Sequence, residues 1–179
     1  MAKFLIRFSK WAQLVVPVVV VVCICIWWLI CGTQTTILLL RHADRLGTQD
    51  LLSGAGQTRA QELAHVAQKT GIAAIYHSEA NRTLQTALPL ANALQLTPVQ
   101  IPANDVQGLV DDIFANHRTD TVLVVGHSNT VPDIITAFGG PMMDDIPHGE
   151  YDNLFVLTVC RCSWHQPKLI NLEYGAASP

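Results

Sequence analysis

The chain has 179 residues, half of them hydrophobic and 14% charged, with a formal net charge of −3. That length suits one domain rather than two ordinary ones, and the apolar balance excludes a disordered or highly charged, solvated chain. Residues 1–31 carry Lys3, Arg7 and Lys10 and no acid, whereas residues 32–179 carry 8 Lys/Arg against 14 Asp/Glu, an acidic domain without the basic run of a nucleic-acid binder.

The first element in chain order is an uncharged run, Leu14–Cys31. At about 1.5 Å per residue its 18 residues span roughly 27 Å, close to the hydrocarbon thickness of a bilayer. The pattern predicts a transmembrane anchor over residues 11–31, with a single domain over 32–179. Basic residues precede the run and Gly32–Leu40 is uncharged, so residues 1–10 are expected in the cytoplasm. The domain is then expected on the periplasmic or extracellular side. A cleaved signal peptide would need small residues after the run, where Trp27, Trp28, Leu29 and Ile30 stand instead. Lipidation at Cys31 is disfavoured by the branched Ile30. Three of the five cysteines lie in this run. Cys160 and Cys162 fall two apart in a predicted strand, near the outer limit of disulfide reach, and are read as small apolar residues.

Beyond residue 32 apolar runs alternate with amphipathic stretches. Thr36–Leu40 is continuously apolar after its first residue, as in a strand buried on both faces. Ala55–Lys69 places Ala60, Leu63, Ala64 and Ala67 on one helical face, and Gly71 follows as a stop. Ile72–Tyr76 reads as a strand, and Ser78 as the N-cap of a helix from Glu79 carrying Ala80, Leu84, Ala87, Leu88 and Ala91, kinked at Pro89. Val99–Ile101 is a weaker strand, and Val106, Leu109, Val110, Ile113 and Phe114 mark another helix. Thr121–Val125 is a second buried strand, followed by a short helix over Val131–Phe138. Leu154–Val159 and Lys168–Leu172 close the chain. The alternation predicts a three-layer α/β sandwich with a mainly parallel central sheet.

In such folds ligands bind outside the carboxyl ends of the strands. Three polar clusters fall there: Arg41-His42, Ser78 with Arg82, and Gly126-His127-Ser128. Two arginines and two histidines suit a phosphoryl group. Guanidinium forks match its oxygens, an unprotonated imidazole can attack phosphorus, and a second imidazole can stabilise transition-state charge.

Leu38-Leu39-Leu40-Arg41-His42-Ala43 resembles the Arg-His-Gly signature of the histidine phosphatase superfamily, the phosphoglycerate-mutase-like enzymes. The resemblance continues through Leu52-Ser53-Gly54-Ala55-Gly56, through His77-Ser78 with Arg82 and Gln85-Thr86-Ala87, and through Val124-Val125-Gly126-His127-Ser128. It covers about Ile37 to Val159. It implies a phosphatase in which His42 is the nucleophile forming a phosphohistidine and Arg41, Arg82 and His127 hold the phosphoryl oxygens. It also implies an acidic proton donor, for which Asp105 is the nearest match, with Asp44 and Glu79 as rivals. Ala43 stands where the signature has glycine. Ala93–Pro102 lacks the insertion that phosphoglycerate mutases carry. The resemblance is therefore to a compact phosphatase with an open pocket, acting on a phosphorylated small molecule, a bulky phosphoester or a phosphoprotein. No cofactor and no metal is expected.

Three other readings compete. Gly126-His127-Ser128-Asn129-Thr130 is superficially like a serine-hydrolase elbow with Ser128 as nucleophile, but it has Thr130 where that pattern needs glycine. A non-catalytic, membrane-tethered phosphoryl-binding module is the second. A His42/His127 metal site is the third, and no carboxylate or cysteine lies at a recognisable ligand spacing from the pair.

Overall fold

A computed structural model describes residues 15–27, 33–160 and 166–178. The chain divides into two compact units, Met1–Thr33 and Gln34–Pro179. In the first, residues 15–27 form a helix, α1, whose valines and isoleucines are exposed. At about 1.5 Å per residue these 13 described residues account for roughly 20 Å of helix. Among the described residues no helix is long and apolar enough to cross a membrane. The expected anchor over 11–31 extends at both ends outside the described residues.

The second unit is built on β1 (Gln34–Arg41), β2 (Ile72–His77), β3 (Val99–Gln100), β4 (Thr121–Gly126), β5 (Asn153–Cys160) and β6 (Lys168–Glu173). Helices α2 (Gly54–Ala67), α3 (Asn81–Leu94), α4 (Val106–Asn116) and α5 (Thr130–Ala137) alternate with the first strands. The sheet runs β3-β2-β4-β1-β5-β6. The first four strands are parallel and β5 and β6 antiparallel, so the mainly parallel sheet is closed on one side by an antiparallel pair. Cys162 lies outside the described residues.

The alternation of side chains along each strand creates two cores. Ile37, Leu39, Val122 and Val124 face one side, with Leu109, Ile113, Val131 and Ile135 from α4 and α5. Leu38, Leu40, Leu123 and Val125 face the other, with Leu63, Ala67, Ala87 and Leu90 from α2 and α3. This is why Ile37–Leu40 and Val122–Val125 are apolar at every position: both faces of the central strands are covered.

Three local features refine the sequence reading. First, Ser78 does not cap a helix from Glu79. Helix α3 begins at Asn81, its N-cap Ala80 makes no side-chain cap bond, and Asp50 from the β1–α2 loop accepts from the Asn81 N–H at 2.8 Å. Second, α3 remains helical through Pro89 to Leu94 and ends on Gln95 in the left-handed region at φ 57°. Third, β3 has only two residues, because Pro98 and Pro102 bracket it and neither can donate to a ladder.

Candidate active site

The site grows out of the carboxyl ends of β1, β2 and β4. Register pairs Arg41 with Gly126 and His77 with Val125, so Arg41-His42, His77-Ser78 and Gly126-His127 leave the sheet side by side. The topological switch falls here, because β4 lies between β1 and β2. The His42 N–H donates to the Gly126 carbonyl at 2.9 Å and pins the first residue beyond β1. The Ala43 N–H donates to Thr86 Oγ1 at 2.9 Å, and the Leu52 N–H to Gln85 Oε1 at 2.8 Å. The Gln85-Thr86 pair on α3 thus fastens both ends of the loop that follows His42.

His42 is 3% exposed. Its Nδ1 lies 2.8 Å from the Ala43 carbonyl oxygen, which can only accept, so Nδ1 carries the hydrogen and Nε2 the lone pair. Burial, aided by the charges of Arg82 and Arg41 and opposed by the Ala43 bond, lowers its pKa to about 3. The imidazole is therefore neutral, with Nε2 making no hydrogen bond among the described residues.

His127 stands opposite, ring centroids 5.5 Å apart. Arg82 Nη2 approaches its Nδ1 at 3.1 Å, and Ser78 Oγ lies 2.8 Å from its Nε2. A guanidinium only donates, so Nδ1 accepts and Nε2–H donates to Ser78. Burial, with the Arg82 charge next, lowers the His127 pKa.

Each arginine is held on one side and open on another. Arg41 Nη1 lies 2.9 Å from the Pro147 carbonyl and 3.0 Å from those of His148 and Glu150, while its guanidinium sits 4.2 Å over the Tyr151 ring. Arg82 Nη1 pairs with Asp50 Oδ1 at 2.7 Å. Both Nε–H groups are buried and have no hydrogen-bond partner among the described residues. Such orphans are costly unless an acceptor arrives, and an oxyanion would supply one to each.

The structure therefore brings together Arg41, His42, Arg82 and His127. It does not bring Asp105 to them: that carboxylate caps α4, accepting from the Gly108 N–H at 3.0 Å, and bonds to none of the four. Asp44 pairs with Arg59 at 2.7 Å. The acids whose charge reaches His127 are Glu79 and Asp50. Glu79 is held below the usual carboxylate range by its own N–H and that of Ala103. Asp50 is held down, against the opposing effect of burial, by the Asn81 and Arg82 N–H groups and the Arg82 guanidinium. Ser128 makes no side-chain bond to a histidine; the serine that meets one is Ser78. Among the described residues no group of three His, Cys, Asp or Glu side chains is placed to hold a metal.

Asp50, Ser78 as a histidine partner, and Tyr151 were not anticipated as site residues. None of the three had a local signal in the sequence; Asp50 supplies from another loop the acceptor that the start of α3, with no acid in its first turn and no side-chain cap bond, lacks.

Residues 37–104 match the family model of the histidine phosphatase superfamily, branch 1, a stretch that contains Arg41, His42 and Arg82 and ends before His127. No curated protein matches the sequence significantly. Among solved structures, mycobacterial glucosyl-3-phosphoglycerate phosphatase is similar at 15% identity and TM-score 0.61, covering 79% of this chain and 99% of that one. The protein histidine phosphatase SixA complexed with tungstate is similar at 19% identity and TM-score 0.60, over 77% and 96% of the two chains. A protein assigned as phosphohistidine phosphatase SixA from Agrobacterium tumefaciens is similar at 25% identity and TM-score 0.56, over 79% and 99%. The phosphoglycerate-mutase-like α/β fold, the two-arginine, two-histidine arrangement and the match over residues 37–104 together support a phosphatase similar to those of the histidine type.

Proposed function

We propose that the chain is a membrane-tethered histidine phosphatase in which His42 takes the phosphoryl group, Arg41, Arg82 and His127 hold its oxygens, and the substrate is a phosphohistidine-bearing protein. The observation that carries the roles is the His42 lone pair on Nε2 beside two arginines with unpartnered Nε–H donors. In the first step Nε2 attacks phosphorus, the bond to the leaving group breaks, and its electron pair departs with that group. In the second, water attacks the phosphohistidine, the P–N bond breaks, the pair returns to Nε2 and a proton goes to solvent. The cations offset charge on the phosphoryl oxygens in both steps.

The substrate class follows from the leaving group. Glu79 and Asp50 are both held ionised, so neither is a ready proton donor, and an alkoxide would leave slowly. A phosphorylated imidazole takes its proton on the ring nitrogen remote from phosphorus and leaves neutral without a resident acid. Both SixA structures are described as histidine or phosphohistidine phosphatases, which supports the same choice. The tether rests on the apolar run Leu14–Cys31 preceded only by basic residues, with the catalytic unit on the non-cytoplasmic side.

Rapid quench with a labelled phosphohistidine peptide should trap protein-bound phosphate that survives alkali, is lost in acid and maps to His42. Label on Ser128, or undiminished hydrolysis by His42→Ala, would overturn the roles. Faster turnover of serine phosphopeptides than of phosphohistidine would overturn the substrate class. Extraction of the full chain by carbonate, or a mature chain starting near residue 32, would overturn the tether.

A further inference from the structure

Ser78 is buried, 5% exposed, beside a group of the site, yet it has no role in the chemistry described above. Its hydroxyl lies 2.8 Å from His127 Nε2, 3.0 Å from Thr83 Oγ1 and 3.3 Å from the Ala80 N–H. The direction of each bond can be worked out. Thr83 Oγ1 sits 2.7 Å from the Ala80 carbonyl, which only accepts, so the Thr83 hydrogen is committed there. Thr83 then accepts from Ser78, whose single hydrogen is used up, and Ser78 turns lone pairs toward Ala80 N–H and His127. Nε2 must carry a hydrogen to meet them. On the other side of the ring Arg82 donates to Nδ1. Donor chemistry at one nitrogen and a hydroxyl relay at the other impose the same tautomer.

We propose that Ser78 is a positioning residue that fixes the His127 proton on Nε2, so that binding of a tetrahedral oxyanion takes up one further proton, on Nδ1. The inference rests on the proposed phosphoryl site. When an oxyanion enters, Arg82 turns its donors to it, and His127 Nδ1 is left as a lone pair facing negative charge. Because Nε2–H is held by Ser78, Nδ1 becomes a donor only by protonation, which makes the ring an imidazolium. Facing this ring are Arg82 on α3, Arg41 at the end of β1, His42 just beyond it, Glu79 in the β2–α3 loop and Asp50 in the β1–α2 loop. Burial, with the two cations, holds the free ring neutral against the two acids, and an added dianion tips the balance toward the charged form. The pair Ser78–His127 is also the wrong way round for a nucleophilic serine: Nδ1 faces a guanidinium instead of a carboxylate, and Nε2 donates instead of accepting.

Tungstate is the probe, because it is dianionic throughout the neutral range and does not itself exchange a proton there. Binding to the full chain in detergent is measured by calorimetry at several pH values above the free His127 pKa. For the wild type, affinity should weaken about tenfold per pH unit, the signature of one proton bound. In Ser78→Ala, neutral His127 can carry its hydrogen on Nδ1, and the dependence should flatten. Thr83→Val, which touches neither the anion nor His127, should flatten it too by freeing the Ser78 hydrogen to turn toward Nε2, while Ser78→Thr should restore it. A pH-independent wild type, or an unchanged slope in both Ser78→Ala and Thr83→Val, would overturn the inference. Tungstate that fails to bind the wild type, or binds Arg82→Ala equally well, would instead overturn the phosphoryl site itself.

Discussion

His42 is an imidazole removed from water and surrounded by positive charge, and its proton affinity reports both. The unfolded chain takes up that proton near pH 6.5 and the folded chain only near 3. Stability therefore falls as pH drops through that interval and is indifferent to this group above it, with an upper slope of about 1.4 kcal/mol per pH unit. Urea denaturation should show His42→Asn losing less stability than the wild type between about pH 7 and about pH 5; equal losses would mean that the ring is more hydrated than its burial implies. Arg82 is the second informative residue. Arg82→Ala should lower turnover by roughly 100-fold and weaken vanadate inhibition, since a charge-assisted donor is lost from the transition state; kinetics with and without vanadate checks both. The four central residues were legible because each ends or directly follows a strand or lies in the first turn of a helix. Asp50 reaches Arg82 across 32 positions, Ser78 reaches His127 across 49, and Tyr151 reaches Arg41 across 110. No local pattern encodes contacts of that range.

At the scale of elements, the start of α2 shows how a short motif fixes geometry. Ser53 accepts from the Gly56 N–H at 3.1 Å and donates to the Asp44 carbonyl at 3.1 Å. A Cβ on Gly56 would run into that same Asp44 carbonyl, so the Ser-Gly-Ala-Gly stretch lets the helix start lie directly on the loop after His42. Gly56→Val should destabilise the fold by about 2–3 kcal/mol through overpacking against a backbone that cannot yield, read as a lowered urea midpoint, and should lower activity as the loop shifts. β1 and β4 could be read from sequence because burial on both faces leaves their central runs, Ile37–Leu40 and Val122–Val125, apolar at every position. The α3 start could not, because its capping acid lies on a different loop. Nor could the shortness of β3, where apolar residues suggested a strand and two prolines limit it.

Across the whole catalytic unit, Arg59 ties three distant parts together. It pairs with Asp44 beside the site and donates to the Tyr174 and Ala176 carbonyls of the C-terminal stretch at 3.1 and 2.8 Å. That stretch continues to Ser178, whose hydroxyl accepts from the Tyr151 N–H at 2.8 Å. Arg59→Met should cost about 3 kcal/mol, because it leaves a partly buried Asp44 without its cation and two carbonyls without donors. Chemical denaturation gives the magnitude, and proteolysis should begin at the C-terminal end. The layered architecture was legible from alternation alone, whereas this tie was not, because an arginine in mid-helix reads as a surface charge until its partners are known.

The grip of Arg41 on the segment before β5 has an evolutionary side. Its Nη1 has two hydrogens for three carbonyl oxygens, those of Pro147, His148 and Glu150, and all three belong to the main chain. Side chains there are free to change while the arginine keeps its hold, so this rim can drift toward new leaving groups without loosening the residue proposed to meet the phosphoryl group. Selection can thus retune substrate choice on one side of the arginine while the chemistry on the other side stays constant.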